Sequence, residues 1–259
     1  MEIGSQVQFD FTGSRVLVTG GTSGVGEAVA LGFAESGAGV VITGRDSERG
    51  NSVLEKIRTH GDGEFLQGDL TDAGFCRELV DRSADILGGL DVVVNSAGVI
   101  YHANVEQTTD QQWHQTMDVN VNATFYVCRA AVPLMKASGG VIINIASDAG
   151  LSASSALTAY NASKGAVIQL SRSMARDYGP DGIRVIPICP GDIDTPMLRG
   201  EFEQKNISAE QGLAESAASV PLNRVCTPLE VAHLVMYAAS NSAAFMSGYP
   251  LVLDAANRA

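Results

Sequence analysis

Short runs rich in Val and Ile recur along this chain, each followed by a longer stretch of helical composition, and that alternation constrains the fold more than any other feature. Arg15–Thr19, Val40–Gly44, Glu64–Gln67, Asp91–Asn95, Val141–Ala146 and Ile183–Ile188 read as buried strands, with Tyr249–Leu253 as a last one. Helical stretches are expected at 27–36, 47–60, 72–87, 111–135, through Tyr160 to about 178, and at 229–239. Strands that alternate with helices predict an α/β fold, a parallel sheet with helices on both faces joined by right-handed crossovers. A chain of 259 residues with 45% hydrophobic content can bury one large core, so a single domain is expected over 1–259.

Ligands of such sheets bind outside the carboxyl ends of the strands, and several strand ends here carry suitable residues. The first strand runs directly into Gly20-Gly-Thr-Ser-Gly24-Val-Gly26 and then a helix. Glycines let the backbone approach a pyrophosphate, and the helix N-terminus supplies N–H groups and partial positive charge. The spacing differs from GxGxxG, and a purely structural turn is the alternative; the strand before and the helix after favour a nucleotide. Past the second strand, Gly44-Arg45 stands where an Asp or Glu would bond the ribose 2′-hydroxyl of NAD. Arginine suits a 2′-phosphate, which leans toward NADP(H) with NAD(H) as the alternative. Asp46 is positioned to offset that charge, and Arg45 as a plain solvated loop residue is the competing reading. Asp69 and Asn95–Gly98 fall at two further strand ends.

Tyr160 and Lys164 are four residues apart, so on a helix they share a face. A fixed ammonium beside a phenol stabilises the phenolate, lowers its pKa from about 10, and fits it for proton exchange with an alcohol. An ordinary helix with an exposed Lys is the alternative that this spacing alone leaves open. The net charge of −12 argues against nucleic acid or an anionic membrane surface as partner. No apolar run approaches the roughly 20 residues of a spanning helix, and Met1–Phe11 lacks the pattern of a secretory leader, so a cytoplasmic protein is expected. Cys76, Cys128, Cys189 and Cys226 lack CxxC spacing and read as small buried hydrophobes, while His60, His102, His114 and His233 form no HxxxH pair; no metal site is expected. Around 119–134 the chain is apolar on nearly every face, which suggests a subunit interface or a helix sunk in a large core. Residues 197–220 mix charges, small residues and a few apolar anchors and read as a lid.

Thr19-Gly20-x-x-x-Gly24-x-Gly26, Asn95-Ser-Ala-Gly98, Asn120, Ser147, Tyr160-x-x-x-Lys164, and Pro190-Gly191 with Thr195 closely resemble, in this order and over nearly the full length, the short-chain dehydrogenase/reductase family. The resemblance implies one Rossmann-type domain with a seven-stranded parallel sheet, a cofactor-binding half over about 12–150, and a catalytic and substrate half over about 140–259. It implies reversible hydride transfer between a nicotinamide nucleotide and an alcohol or ketone, usually in a homotetramer or homodimer. Tyr160 would be the acid/base, Lys164 would depress its pKa and bond the nicotinamide ribose, Ser147 would hold the substrate oxygen, and Asn120 would help keep a relay water. The nucleotide would lie on Gly20, Thr22, Ser23, Gly24, Val25 and Gly26. Asp69 with Leu70 would meet the adenine, Asn95, Ala97 and Gly98 would wall its ribose, and Pro190, Gly191, Ile193 and Thr195 would anchor the carboxamide. The same site could serve a dehydratase or epimerase, or a regulatory protein that binds NAD(P) without turnover. Three positions depart from the family: Ser96 replaces the commoner Asn, Ser23 stands where some NADP(H)-preferring members carry a basic residue, and Asp254-Ala255-Ala256 replaces Asp-Gly-Gly, which bears on how the tail packs at a subunit contact. Near the expected pocket, His102, Asp148, Ala149 and Arg199 form a polar set suited to a hydroxylated or charged substrate.

Overall fold

The computed structural model describes residues 8–258. Seven parallel strands form one sheet, β1 (Arg15–Thr19), β2 (Gly39–Gly44), β3 (Gly63–Gln67), β4 (Val92–Asn95), β5 (Gly140–Ile145), β6 (Ile183–Pro190) and β7 (Leu251–Leu253), in the order β3-β2-β1-β4-β5-β6-β7. Strand order reverses between β1 and β4, where Thr19 lies in register with Asn95, and a crevice opens at such a switch point. The helices that cover the sheet before that point are α1 (Gly24–Glu35), α2 (Ser47–Arg58) and α3 (Ala73–Leu87). Those after it are α4 (Asp110–Met117), α5 (Ala123–Met135), α6 (Thr158–Tyr178), α7 (Pro196–Gln204), α8 (Ala209–Ala218) and α9 (Pro228–Ala239).

The strand alternation sorts side chains into two cores. Val16 and Val18 point with Ile143 toward Val29 and Phe33 of α1 and Val235 of α9, whereas Leu17 and Ile142 point toward Leu79 of α3, Val127 of α5 and Met174 of α6. Each fully buried Val, Leu or Ile contributes about 1.5–3 kcal/mol of transfer free energy, so slipping one strand by a residue would expose its whole inward set. Local signals fix the ends. Asp46 and Asp72 cap α2 and α3, and capping boxes Thr109/Gln112 and Thr227/Glu230 start α4 and α9.

The helix expected over 111–135 is interrupted by a wide turn at Asp118–Asn122, with i to i+5 geometry, that turns Asn120 inward. Its apolar surface is not wholly sunk in the core: Phe125 and Leu134 are each 42% exposed, with Arg129 over the Phe125 ring. The last strand is shorter than expected, because Tyr249 is 80% exposed and Pro250 has no N–H for the ladder. Cys226 is only partly buried, unlike the other three cysteines, since it sits in the loop before α9. Among the described residues no helix is long and apolar enough to cross a membrane, and no cluster of potential metal ligands is present.

Candidate active site

A cleft of about 310 Å3 runs along the carboxyl ends of the strands. On one side is the β1–α1 turn, built so tightly that only glycine fits. A Cβ at Gly26 would sit 2.2 Å from the Gly20 carbonyl oxygen, and one at Gly20 would sit 2.8 Å from the Ala97 backbone. Gly20 and Gly24 also take positive φ of 64° and 56°. Ser23 precedes α1 without capping it by its side chain, so hydroxyl and first-turn N–H groups both remain for an anion. This cradle fits a dinucleotide pyrophosphate. Across the crevice a Cβ at Gly24 would meet Thr195 at 3.3 Å, which brings the loop after β6 over the same cradle.

At the β2 end of the cleft, Arg45 is exposed, and among the described residues its guanidinium makes no hydrogen bond or ion pair. Among the described residues Asp46 forms no ion pair with it. Its carboxylate accepts the Arg49 backbone N–H at 3.0 Å and Arg49 Nε at 2.8 Å, and these bonds hold it below the usual carboxylate range. Arg49, in the first turn of α2, lines the same end of the cleft as Arg45, which the sequence reading missed. Asp69 and Leu70 border the cleft, and so do Thr22, Val25, Ala97, Gly98, Pro190, Gly191 and Ile193. Asn95 does not. It is 4% exposed and turned into the α5 side of the sheet, where its amide donates to Asn144 Oδ1 at 2.9 Å while Asn144 donates to Ser171 Oγ at 2.9 Å. Position 95 alternates with Val94, whose side chain belongs to the opposite core, so the pleat decides the direction.

The chemistry-bearing side chains meet where β5 ends. Ser147 follows β5, accepts the Ala149 N–H at 3.1 Å, and can donate to Asp148 Oδ1 at 3.2 Å. Tyr160 and Lys164 project from one face of α6 into the same cleft, with Lys164 Nζ 5.5 Å from the phenol ring centre. Lys164 donates to the Ile145 carbonyl at 2.7 Å, and burial lowers its pKa from 10.5 to about 8. The expected depression of the phenol by Lys164 is not the governing effect in this geometry. Burial raises Tyr160 well above the ordinary phenol value, Ser147 draws it back, and the charges of Asp148, Glu201 and Asp192 push it further up. Glu201 comes from α7 and was not anticipated; nothing local in the sequence of 197–220 marks which carboxylate turns inward. Lys205 pairs with it at 2.5 Å.

Asn120 lies beneath this group. Its Oδ1 accepts from Val99 N at 2.8 Å, and its Nδ2 donates to Val99 O and Ser163 Oγ, both at 3.0 Å. It therefore clamps the loop after β4 to α6, with no direct bond to Lys164 among the described residues. Of the four polar pocket candidates, Asp148 and Ala149 line the cleft; Arg199 turns away to pair with Asp194 at 2.7 Å, and His102 lies outside it.

The family model described as Enoyl-(Acyl carrier protein) reductase matches residues 20–255. The chain is 36% identical to a 3beta-hydroxysteroid dehydrogenase of Mediterraneibacter gnavus, covering 98% of each protein. It is 33% identical to an NADP-dependent (R)-specific alcohol dehydrogenase of Lentilactobacillus kefiri, over 93% of this chain and 95% of that one. A crystal structure of a dehydrogenase/reductase from Sinorhizobium meliloti superposes with a TM-score of 0.87 at 32% identity, over 97% of this chain and 98% of the other. With its order of landmarks, its seven-stranded sheet and these relatives, the chain belongs to the short-chain dehydrogenase/reductase family of nicotinamide-dependent oxidoreductases.

Proposed function

We propose that the protein is an alcohol dehydrogenase or carbonyl reductase that prefers NADP(H), with Tyr160 as its acid/base. The observation that carries this reading is the convergence of Ser147, Tyr160 and Lys164 on one cleft with the glycine cradle opposite. The Gly20–Gly26 cradle would hold a nicotinamide nucleotide, which would supply or take a hydride when bound. Ser147 holds the substrate oxygen, Tyr160 exchanges a proton with it, and the Lys164 ammonium opposes the burial that keeps the phenol protonated. Asn120 keeps the floor of the site rigid by its three bonds. Preference for the 2′-phosphate is supported by Arg45, which is free of Asp46, and by the absence of an acid at Gly44. The NADP dependence named for the Lentilactobacillus relative points the same way.

The segment 197–220, as α7 and α8, is read as a lid, a reading supported by Met197, Leu198 and Glu201 of α7, which line the cleft. A cytoplasmic homotetramer or homodimer is the expected state, supported by apolar side chains left in solvent at Phe125 and Leu134 and, near the C-terminus, at Phe245 and Tyr249. The test is oxidation of NADPH and NADH against a panel of ketones, alongside Tyr160→Phe. The wild type should consume NADPH with an added ketone, and Tyr160→Phe should lose about 10²- to 10⁴-fold in kcat while still binding nucleotide. Nucleotide binding without turnover by the wild type would mark a regulatory protein, and product formation with no change in nicotinamide absorbance would mark a dehydratase or epimerase.

A further inference from the structure

After β7 the chain curls back onto the catalytic face. Asp254 organises the curl, its side chain accepting the N–H groups of Ala256 at 3.0 Å and Arg258 at 3.1 Å. Ala255 and Ala256 take positive φ of 53° and 64°, a backbone region that L residues rarely adopt, so the tail is held in a specific path. It passes so close to the loop after β6 that a Cβ at Gly191 would lie 3.3 Å from Asp254 Cα. The path delivers two donors to one buried acid. Asn257 Nδ2 donates to Asp148 Oδ2 at 3.0 Å, and Arg258 Nε donates to the same oxygen at 3.1 Å. Arg258 also donates to Ser154 Oγ at 2.8 Å and to the Ala153 carbonyl at 3.4 Å. The Asp148 side chain is 7% exposed and that of Arg258 25%. Asp148 Oδ1, in turn, faces the Ser147 hydroxyl.

We propose that Arg258, with Asn257, is a positioning residue of the active site: it holds and neutralises Asp148, which leaves the Ser147 hydroxyl available to a substrate oxygen, and it pins the 153–154 wall of the substrate cleft. The inference rests on the reading of Ser147 and Tyr160 as the acid/base site. A buried carboxylate without its cation binds its remaining proton donors more strongly, and besides Asn257 on Oδ2 the donor facing Oδ1 is Ser147, the group that must bond the substrate. The same charge acts on the phenol. Tyr160 faces Lys164 of its own helix, Asp148 from the turn after β5, Asp192 from the loop after β6, and Glu201 of α7, itself paired with Lys205. Removing Arg258 tips that balance toward negative, so the phenol ionises less readily and alcohol oxidation requires a higher pH.

Arg258→Gln and Arg258→Lys in the full chain test this, with 1-phenylethanol and cyclohexanol as probe alcohols and nucleotide affinity measured by fluorescence. Arg258→Gln should keep nucleotide Kd within about twofold, raise KM for the alcohol about tenfold, and move the acid limb of kcat/KM to higher pH. Arg258→Lys, which retains the charge, should restore most of both. Hydrogen exchange gives a second readout independent of turnover: the amides of Ala149, Leu151 and Ser152, bonded to Ser147 and Asp148, should exchange about tenfold faster in Arg258→Gln. Unchanged KM, pH limb and exchange would overturn the proposal, as would equal losses in the Gln and Lys variants with the pH limb fixed. Should the wild type oxidise neither alcohol and reduce no ketone, the alcohol dehydrogenase or carbonyl reductase reading fails, and the exchange comparison alone decides whether the tail holds Asp148.

Discussion

Replacing Arg45 with Ala should weaken use of NADPH while leaving NADH nearly untouched. In this structure Arg45 follows the end of β2 and lines the cleft, and the neighbouring carboxylate of Asp46 is engaged by Arg49. A 2′-phosphate would therefore meet an uncompensated cation able to form two charge-assisted bonds. Hydrogen bonds to a charged group contribute about 1.5–3 kcal/mol, and 1.4 kcal/mol is a factor of ten, so the NADPH/NADH ratio of kcat/KM should fall about 10- to 100-fold. Exposure places the effect toward the lower end and makes it dependent on salt. The assay is initial-rate reduction of one ketone with each nucleotide at low and at 0.5 M salt. Equal losses with both nucleotides would refute the reasoning, because they would show that Arg45 supports the fold or the pyrophosphate rather than the 2′ position. A wild type that uses NADH as well as NADPH would refute the preference itself.

Gly26→Ala should abolish nucleotide binding, since its Cβ would stand 2.2 Å from the Gly20 carbonyl and the turn must open; retained affinity by fluorescence titration would contradict the cradle. Lys164 gives a pH signature in stability. Its folded pKa of about 8 lies below the value of 10.5 for a free side chain, so between those pH values the unfolded chain binds more protons and unfolding free energy rises with pH. Relative to Lys164→Met, the wild type should gain about 2 kcal/mol from pH 7 to 9.5 in denaturant melts, and parallel curves would argue against the buried ammonium. Ala255→Gly with Ala256→Gly should raise Tm by about 1–4 °C, because relief of two left-handed alanines at about 1–2 kcal/mol each exceeds the greater unfolded-state freedom of two glycines. A fall in Tm would mean that the tail path is not strained.

Periodicity and glycine spacing carried the architecture, because a parallel strand buried on both faces must be written in Val and Ile, and a turn that crosses its own helix must be written in Gly. The order of landmarks likewise marked Ser147, Tyr160 and Lys164 in the sequence. Directions were another matter. Whether Asn95 faces the nucleotide or Asn144 depends on the pleat of β4 against β5, and whether 111–135 runs as one helix depends on Asn120 reaching Val99 and Ser163. Charge balance at the phenol was hidden for the same reason: Asp148, Asp192 and Glu201 come from three elements whose spacing in the chain says nothing of their distance to Tyr160. By itself the sequence determined a Rossmann-type sheet with a glycine turn after β1 and a helix that carries Tyr160 and Lys164, since those follow from local backbone chemistry. Only the tertiary structure decided that Asp46 is occupied by Arg49, and that the last residues return more than a hundred positions to Asp148, because long-range pairing is set by packing and leaves no local trace.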